Sequence, residues 1–216
     1  MHYQLVIFDW DGTLMDSAGK IVKCMQMSAD DVGLEIPTKQ QVEHIIGISL
    51  APAIAQLFGL SDSTQIDSVV ERYKYHFLNS DTIPCELFPG VVPLLQALRE
   101  DNRVLAVATG KARRGLNRAW EQTHTGAFFD FSRCADEAES KPSPDMLKQL
   151  LDVTGVKPEQ AVMIGDTTYD MQMAQTLGID RIAVNYGVHQ EDQLKSFAPI
   201  FIADSIAHLH QFLLHN

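Results

Sequence analysis

Asp9 and Asp11 stand two positions apart at the end of an apolar run, in LVIFDWDGTLMDS over residues 5–17. Aspartate is depleted inside strands, so the pair marks either a solvated strand end or a place where two carboxylates do chemistry. Residues of useful type follow other apolar runs as well. Thr109-Gly110-Lys111 follows VLAVA, Lys141 lies in SKPSPD over 140–145, and Asp166 and Asp170 lie in GDTTYD over 165–170. If these runs are strands of one open sheet, their carboxyl ends bring all of these residues to one rim, where such sheets bind ligands. Crowded carboxylates repel one another unless a cation neutralises them. A hard ion with oxygen ligands, most simply Mg²⁺, suits Asp9, Asp11, Asp166 and Asp170. Lys141, the Thr109 hydroxyl and the backbone N–H groups around Gly12 and Gly110 are donors suited to phosphoryl oxygens. A carboxylate beside a metal and such a cradle can act as a nucleophile. The second carboxylate, two residues on, can protonate a leaving oxygen and then activate water.

The elements that would position this rim are legible as alternation. Strands are expected at Gln4–Asp9, Arg103–Thr109, Phe128–Cys134, Ala161–Gly165, Asp180–Asn185 and Ile200–Ala203. Helical periodicity lies between most of them, at Val91–Glu100, Arg113–Thr125, Pro144–Thr154, Tyr169–Leu177 and Ile206–Leu214. Nearly continuous Val/Ile/Leu/Ala runs such as LVIF and VLAVAT suggest a parallel sheet covered on both faces. The expected fold is therefore α/β, a Rossmann-like, doubly wound parallel sheet. Residues 19–82 break the rhythm with helical patterns alone: Gly19–Gly33, Lys39–Ile46, Leu50–Phe58 and Asp62–Asn79. They read as an inserted all-helical cap, joined near Met15–Ala18 and near Ile83–Pro89 and able to hinge over a core site. The expected division is a core of residues 1–15 and 86–216 with a cap of residues 16–85.

The bulk numbers bound the partners. The 216 residues, 45% hydrophobic, suffice for one large domain or a core with a small second unit. With 17 basic against 28 acidic residues the net charge is -11, which argues against non-specific binding to nucleic acid or to an anionic membrane. Cys24, Cys85 and Cys134 are widely spaced, with neither zinc-type spacing nor a disulfide framework. The opening MHYQLVIFDW lacks the basic start and long apolar core of a signal peptide, so a cytoplasmic protein is expected.

Taken in order, DWDGT, ATG, SKPSPD and GDTTYD resemble the motifs of the haloacid dehalogenase superfamily of phosphohydrolases, over almost the whole chain. The helical block resembles the family's C1-type cap, and the nearest subgroup is the phosphoglycolate phosphatase and β-phosphoglucomutase group. The resemblance implies that Asp9 attacks phosphorus and becomes an aspartyl phosphate. It implies that Asp11 is the general acid and base, with its backbone carbonyl on Mg²⁺. Thr109 and Lys141 would hold the phosphoryl group, Lys141 also steadying the nucleophile. Asp166 would ligate the metal directly, and Asp170 would ligate or support it.

Departures from the family's variants sort the reaction. Dehalogenating members lack the second acid, and phosphonate-cleaving members share Trp10 but carry alanine where Asp11 stands. Mutases follow that acid with Gly-Val, whereas this chain has Gly12-Thr13, the hydrolase form. The expected activity is Mg²⁺-dependent hydrolysis of a small phosphorylated metabolite by a monomer or weak dimer. A phosphotransfer to a sugar phosphate, or a non-catalytic sensor of phosphometabolites, are the rival readings. Thr167 and Thr168 are read as helix caps, and Trp10 as packing beside the site. The eight histidines are assigned no metal. Lys111, Arg113 and Arg114 are read as a solvated helix start, and Lys20 and Lys23 as cleft residues. The segment IGISL over 46–50 lies where related caps present a loop to the substrate, apolar but for Ser49 and without an arginine for a second phosphate.

Overall fold

The computed structural model describes residues 3–79 and 85–215. The first strand, β1 (Leu5–Phe8), is followed by a two-residue strand β2 (Met15–Asp16) and four helices: α1 (Ala18–Asp31), α2 (Lys39–Glu43), α3 (Leu50–Phe58) and α4 (Ser63–Asn79). A second short strand, β3 (Glu86–Leu87), leads to α5 (Val91–Glu100), β4 (Val104–Ala108), α6 (Arg113–Thr123) and β5 (Phe131–Arg133). Then come α7 (Asp145–Thr154), β6 (Ala161–Gly165), α8 (Thr168–Thr176) and β7 (Asp180–Val184). The chain closes with α9 (Glu191–Lys195), β8 (Phe201–Ala203) and α10 (Ile206–His215).

Six strands form one sheet in the order β5-β4-β1-β6-β7-β8, and every pairing in it is parallel. The chain builds outward from β1 through β4 to β5, then crosses back to β6 on the other side. The order reverses at β1, so the carboxyl ends of β4, β1 and β6 meet at a topological switch point, where open sheets bind ligands. The doubly wound reading of the sequence holds. Alternation along β1 explains how both faces are covered. Val6 and Phe8 join Leu94, Leu95, Leu98, Leu116 and Leu209 on one face, while Leu5 and Ile7 join Met146, Leu147, Leu150, Met173 and Ala174 on the other.

Residues between β2 and β3 build a third core, in which Ile21, Val22, Met25, Val42, Ile54 and Val69 pack together. Its two chain connections are not plain linkers. Met15 pairs with Leu87 and Asp16 with Glu86 in an antiparallel ladder. A two-residue strand has no periodicity to read, which is why the sequence showed only a joint there. Residues 83–84 of the second expected joint lie outside the described residues. The strand expected from Phe128 begins only at Phe131, because Gly126–Phe128 forms a 3₁₀ turn. The short helix α9 was not anticipated. Its five residues are too few to show a period. Among the described residues no helix is long and apolar enough to cross a membrane.

Candidate active site

The chain leaves β1 at Asp9 and turns at once: the Trp10 carbonyl accepts from the Leu14 and Met15 N–H groups, at 3.0 Å each. That turn separates the two acids of DWD. Asp9 is buried, and its Oδ1 accepts from Lys141 Nζ at 2.8 Å, while its Oδ2 is buried with no hydrogen-bond partner among the described residues. Asp11 swings toward the helical block, where its Oδ1 accepts from Ser17 Oγ at 2.7 Å and its Oδ2 pairs with Lys111 Nζ at 3.0 Å. Gly12 completes the turn with φ +83°, and a Cβ there would lie 2.2 Å from Asp166 Oδ2. Both the left-handed backbone and the close approach call for glycine.

Asp166, at the end of β6, is fully buried. Its Oδ1 accepts from Thr13 Oγ1 (2.9 Å) and its Oδ2 from the Val188 N–H (2.9 Å). Asp170 serves two masters in the first turn of α8. Its Oδ2 accepts from the Thr167 N–H and hydroxyl, a capping box, while its Oδ1 accepts from Lys141 Nζ at 2.6 Å. Thr167 is thus the cap the sequence suggested, while the Thr168 N–H and hydroxyl turn instead to His189. Asp9, Asp166 and Asp170 each present an oxygen within 4.8 Å of the others, a spacing and hard-oxygen donor set that fits a divalent cation. The Asp11 side chain is not part of that cluster.

Three buried acids around one lysine set the electrostatics. Burial pushes the Asp9 carboxyl well above its usual range, with Lys141 opposing and Asp170 and Asp166 adding. Asp166 is pushed up to about 7 by burial and then by Asp170, against the hydrogen bonds from Val188 and Thr13. Burial works against the Lys141 ammonium, yet Asp170 and Asp9 outweigh it and hold its pKa above that of an ordinary lysine. Lys141 is therefore charged and fixed between two carboxylates. Thr109 is buried at the end of β4, its hydroxyl accepting from the Lys111 N–H at 3.1 Å, which leaves its own proton to donate.

The helical block sits directly on this rim. A Cβ on Gly110 would lie 2.6 Å from the Gly47 carbonyl oxygen and 2.8 Å from that of Ile48. The Ser49 N–H donates to Ser140 Oγ at 3.0 Å, and Tyr169 OH donates to the His44 carbonyl at 2.9 Å. The Ser49 hydroxyl is buried without a partner among the described residues. His189 packs between His44 and Tyr169, and its Nδ1 accepts from the Thr168 N–H at 3.0 Å. Burial first, and His44 second, hold its pKa below the ordinary value, so it is the neutral ring that packs here.

Several of these residues escaped the sequence reading. By its place in sequence Lys111 is expected at a solvated helix start. Its side chain is only 13% exposed and faces Asp11, because the turn after Thr109 carries it inward. Of the two lysines expected along the cleft, Lys20 reaches over the Phe77 ring, whereas Lys23, three residues on, is exposed. Arg113 pairs with Glu137, which follows the end of β5. Ser17 and the Val188-His189 segment carried no motif. The latter had one usable signal: it follows the end of β7, the same side of the sheet as every other strand end considered.

The family model described as haloacid dehalogenase-like hydrolase matches residues 6–184. The chain is 29% identical to a 5'-nucleotidase of Pseudomonas aeruginosa over 217 residues, covering 99% of this chain and 96% of that protein. It is 28% identical to a phosphoglycolate phosphatase of Aliivibrio fischeri over 214 residues, with 95% and 94% covered. Among solved structures, a haloacid dehalogenase-like family hydrolase from Streptococcus pneumoniae superposes with TM-score 0.83 at 25% identity, covering 97% of this chain and 98% of that one.

Proposed function

The chain belongs to the haloacid dehalogenase-like hydrolases, and from that membership we propose that it hydrolyses a small phosphomonoester through a covalent phosphoryl intermediate on Asp9. The observation that carries this reading is the unequal state of the two Asp9 oxygens. Oδ1 is held by Lys141, whereas Oδ2 is buried with no hydrogen-bond partner among the described residues, as a positioned nucleophile requires. Asp9 Oδ2 forms a bond to phosphorus as the bond from phosphorus to the ester oxygen breaks. Asp11 passes its proton to that leaving oxygen. Asp11 then takes a proton from water, which attacks the phosphorus, and the bond to Asp9 breaks to release inorganic phosphate.

The Thr109 hydroxyl, the Lys141 ammonium and the N–H groups near Gly12 and Gly110 would receive the phosphoryl oxygens, offsetting the charge of the transition state. Asp166, Asp9, the Asp11 main-chain carbonyl and Asp170, directly or through its hold on Lys141, would hold Mg²⁺. When bound, Mg²⁺ supplies positive charge to the phosphoryl oxygens and to the crowded carboxylates. Residues 16–85 would act as a cap on a core of 1–15 and 86–216, excluding water and choosing the leaving group.

Phosphate release from a panel of phosphomonoesters, with Mg²⁺ and with a chelator, tests the reading. Metal-dependent release confined to a few related esters, lost in Asp9→Asn, is the expected result. Substantial turnover by Asp9→Asn would falsify the assigned nucleophile.

A further inference from the structure

We propose that the leaving group of the natural substrate carries a negative charge of its own, received between Lys111 on the core and Lys20 on the helical block. The inference rests on the phosphatase reading above, which puts the leaving oxygen beside Asp11.

Lys111 Nζ lies 3.0 Å from Asp11 Oδ2, and its side chain is 13% exposed, so a leaving group protonated by Asp11 departs next to that ammonium. From the opposite element, Lys20 in the first turn of α1 reaches over the ring of Phe77 on α4, 5.0 Å from its centroid. Lys111 Nζ lies 5.1 Å from the same centroid. One aromatic side chain thus holds two cations from two parts of the chain, an arrangement of real electrostatic cost unless anions compensate it. The acids present do not suffice. Asp11 engages one of the three donors of the Lys111 ammonium. Among the described residues no carboxylate lies within ion-pair distance of Lys20. In a chain of net charge -11, a cationic pocket beside an active acid is not the average of the composition.

The Cys85 thiol feels the same charges. Burial first and Asp11 second raise its pKa to about 11, while Lys111 and Lys20 both oppose the rise. The two ammonium groups, each about 5 Å from one ring centroid, can be no more than about 10 Å apart. That span suits a carboxylate or a second phosphoryl group on a leaving group of few atoms. Because one lysine belongs to each part, such an anion would also draw the helical block onto the rim.

The test compares charged and neutral alkyl esters of similar leaving-group basicity, with Mg²⁺ present: 2-phosphoglycolate against its neutral amide, and ethylene glycol bisphosphate against 2-methoxyethyl phosphate. The wild-type enzyme is expected to favour the charged member of one pair, and which pair does so separates carboxylate from phosphate. Lys20→Met should cut that preference in kcat/KM roughly ten- to hundredfold, as loss of a charge-assisted contact does, mainly through KM. Lys20→Arg should preserve it. Equal hydrolysis of charged and neutral esters, or a preference untouched in Lys20→Met, overturns the proposal while leaving the phosphatase reading in place. If folded wild-type protein releases phosphate from neutral esters of the wider panel but from none of the charged ones, the proposal falls and the phosphatase reading stands; release from no ester of the panel removes both.

Discussion

At the scale of single residues, activity and stability should part company at the two ends of one ion pair. Asp9 carries an oxygen with no hydrogen-bond partner among the described residues, but it is also one of three buried acids that repel one another. Replacing it by Asn removes a charge while Asp170 still holds Lys141. Asp9→Asn is therefore expected to lose turnover yet unfold at a temperature no lower than wild type in chelator, as thermal melts would show. Lys141 is the opposite case. It is the shared counter-ion of Asp9 and Asp170, at 2.8 and 2.6 Å. Lys141→Met leaves those carboxylates facing each other without it. Breaking a buried pair in this way costs about 3–5 kcal/mol, so urea unfolding should show a large loss together with the loss of activity. A Lys141→Met protein as stable as wild type would mean that the pair is not intact in solution.

At the scale of elements, two junctions set the site. The first is the start of α8, where Thr167 and Asp170 cap the helix with the same carboxylate that holds Lys141. Thr167→Val removes the hydroxyl from that box and is expected to cost about 1 kcal/mol, read from the urea midpoint. It should lower kcat as well, because the Asp170 oxygen opposite Lys141 loses its tether. The second junction is the contact of the 44–49 segment with the rim. Gly110→Ala places a methyl group within 2.6 Å of the Gly47 carbonyl oxygen. The core strands need not move to relieve this, whereas the helical block must lift. The expectation is a fall in kcat/KM of about a hundredfold, the scale seen when reacting groups are misplaced by an ångström. The urea midpoint should stay close to wild type. If instead stability fell and kcat/KM did not, the contact would be structural only.

At the scale of the whole molecule, the site is a store of buried negative charge that the fold tolerates rather than favours. Burial and the neighbouring Asp170 push the Asp166 carboxyl up to about 7 from an ordinary value of 3.8. A carboxyl whose folded pKa is raised gives stability that is complete below the unfolded value and is lost as pH rises through the folded one. Protein in chelator should therefore melt progressively lower as pH rises from about 4 to 7, and Mg²⁺ should raise the melting temperature more at pH 8 than at pH 5. A Mg²⁺ effect equal at both pH values would argue against binding at these acids. The amino-acid sequence by itself determined much of this protein. Hydrophobic runs such as LVIF and AVMIG can be satisfied only inside a sheet covered on both faces. Their alternation with helical periods dictated the winding, and the polar residues at their ends named Asp9, Thr109 and Asp166. Only the tertiary structure decided which Asp9 oxygen Lys141 holds, that Asp11 faces Lys111, that Lys20 reaches over the Phe77 ring while Lys23 is exposed, and that the His189 segment closes over Asp166. Periodicity reports that a side chain is buried or exposed, but not which distant residue it meets. Lys141 reaches its partner across 132 positions of chain and Thr13 across 153, and only the packed fold brings such pairs together.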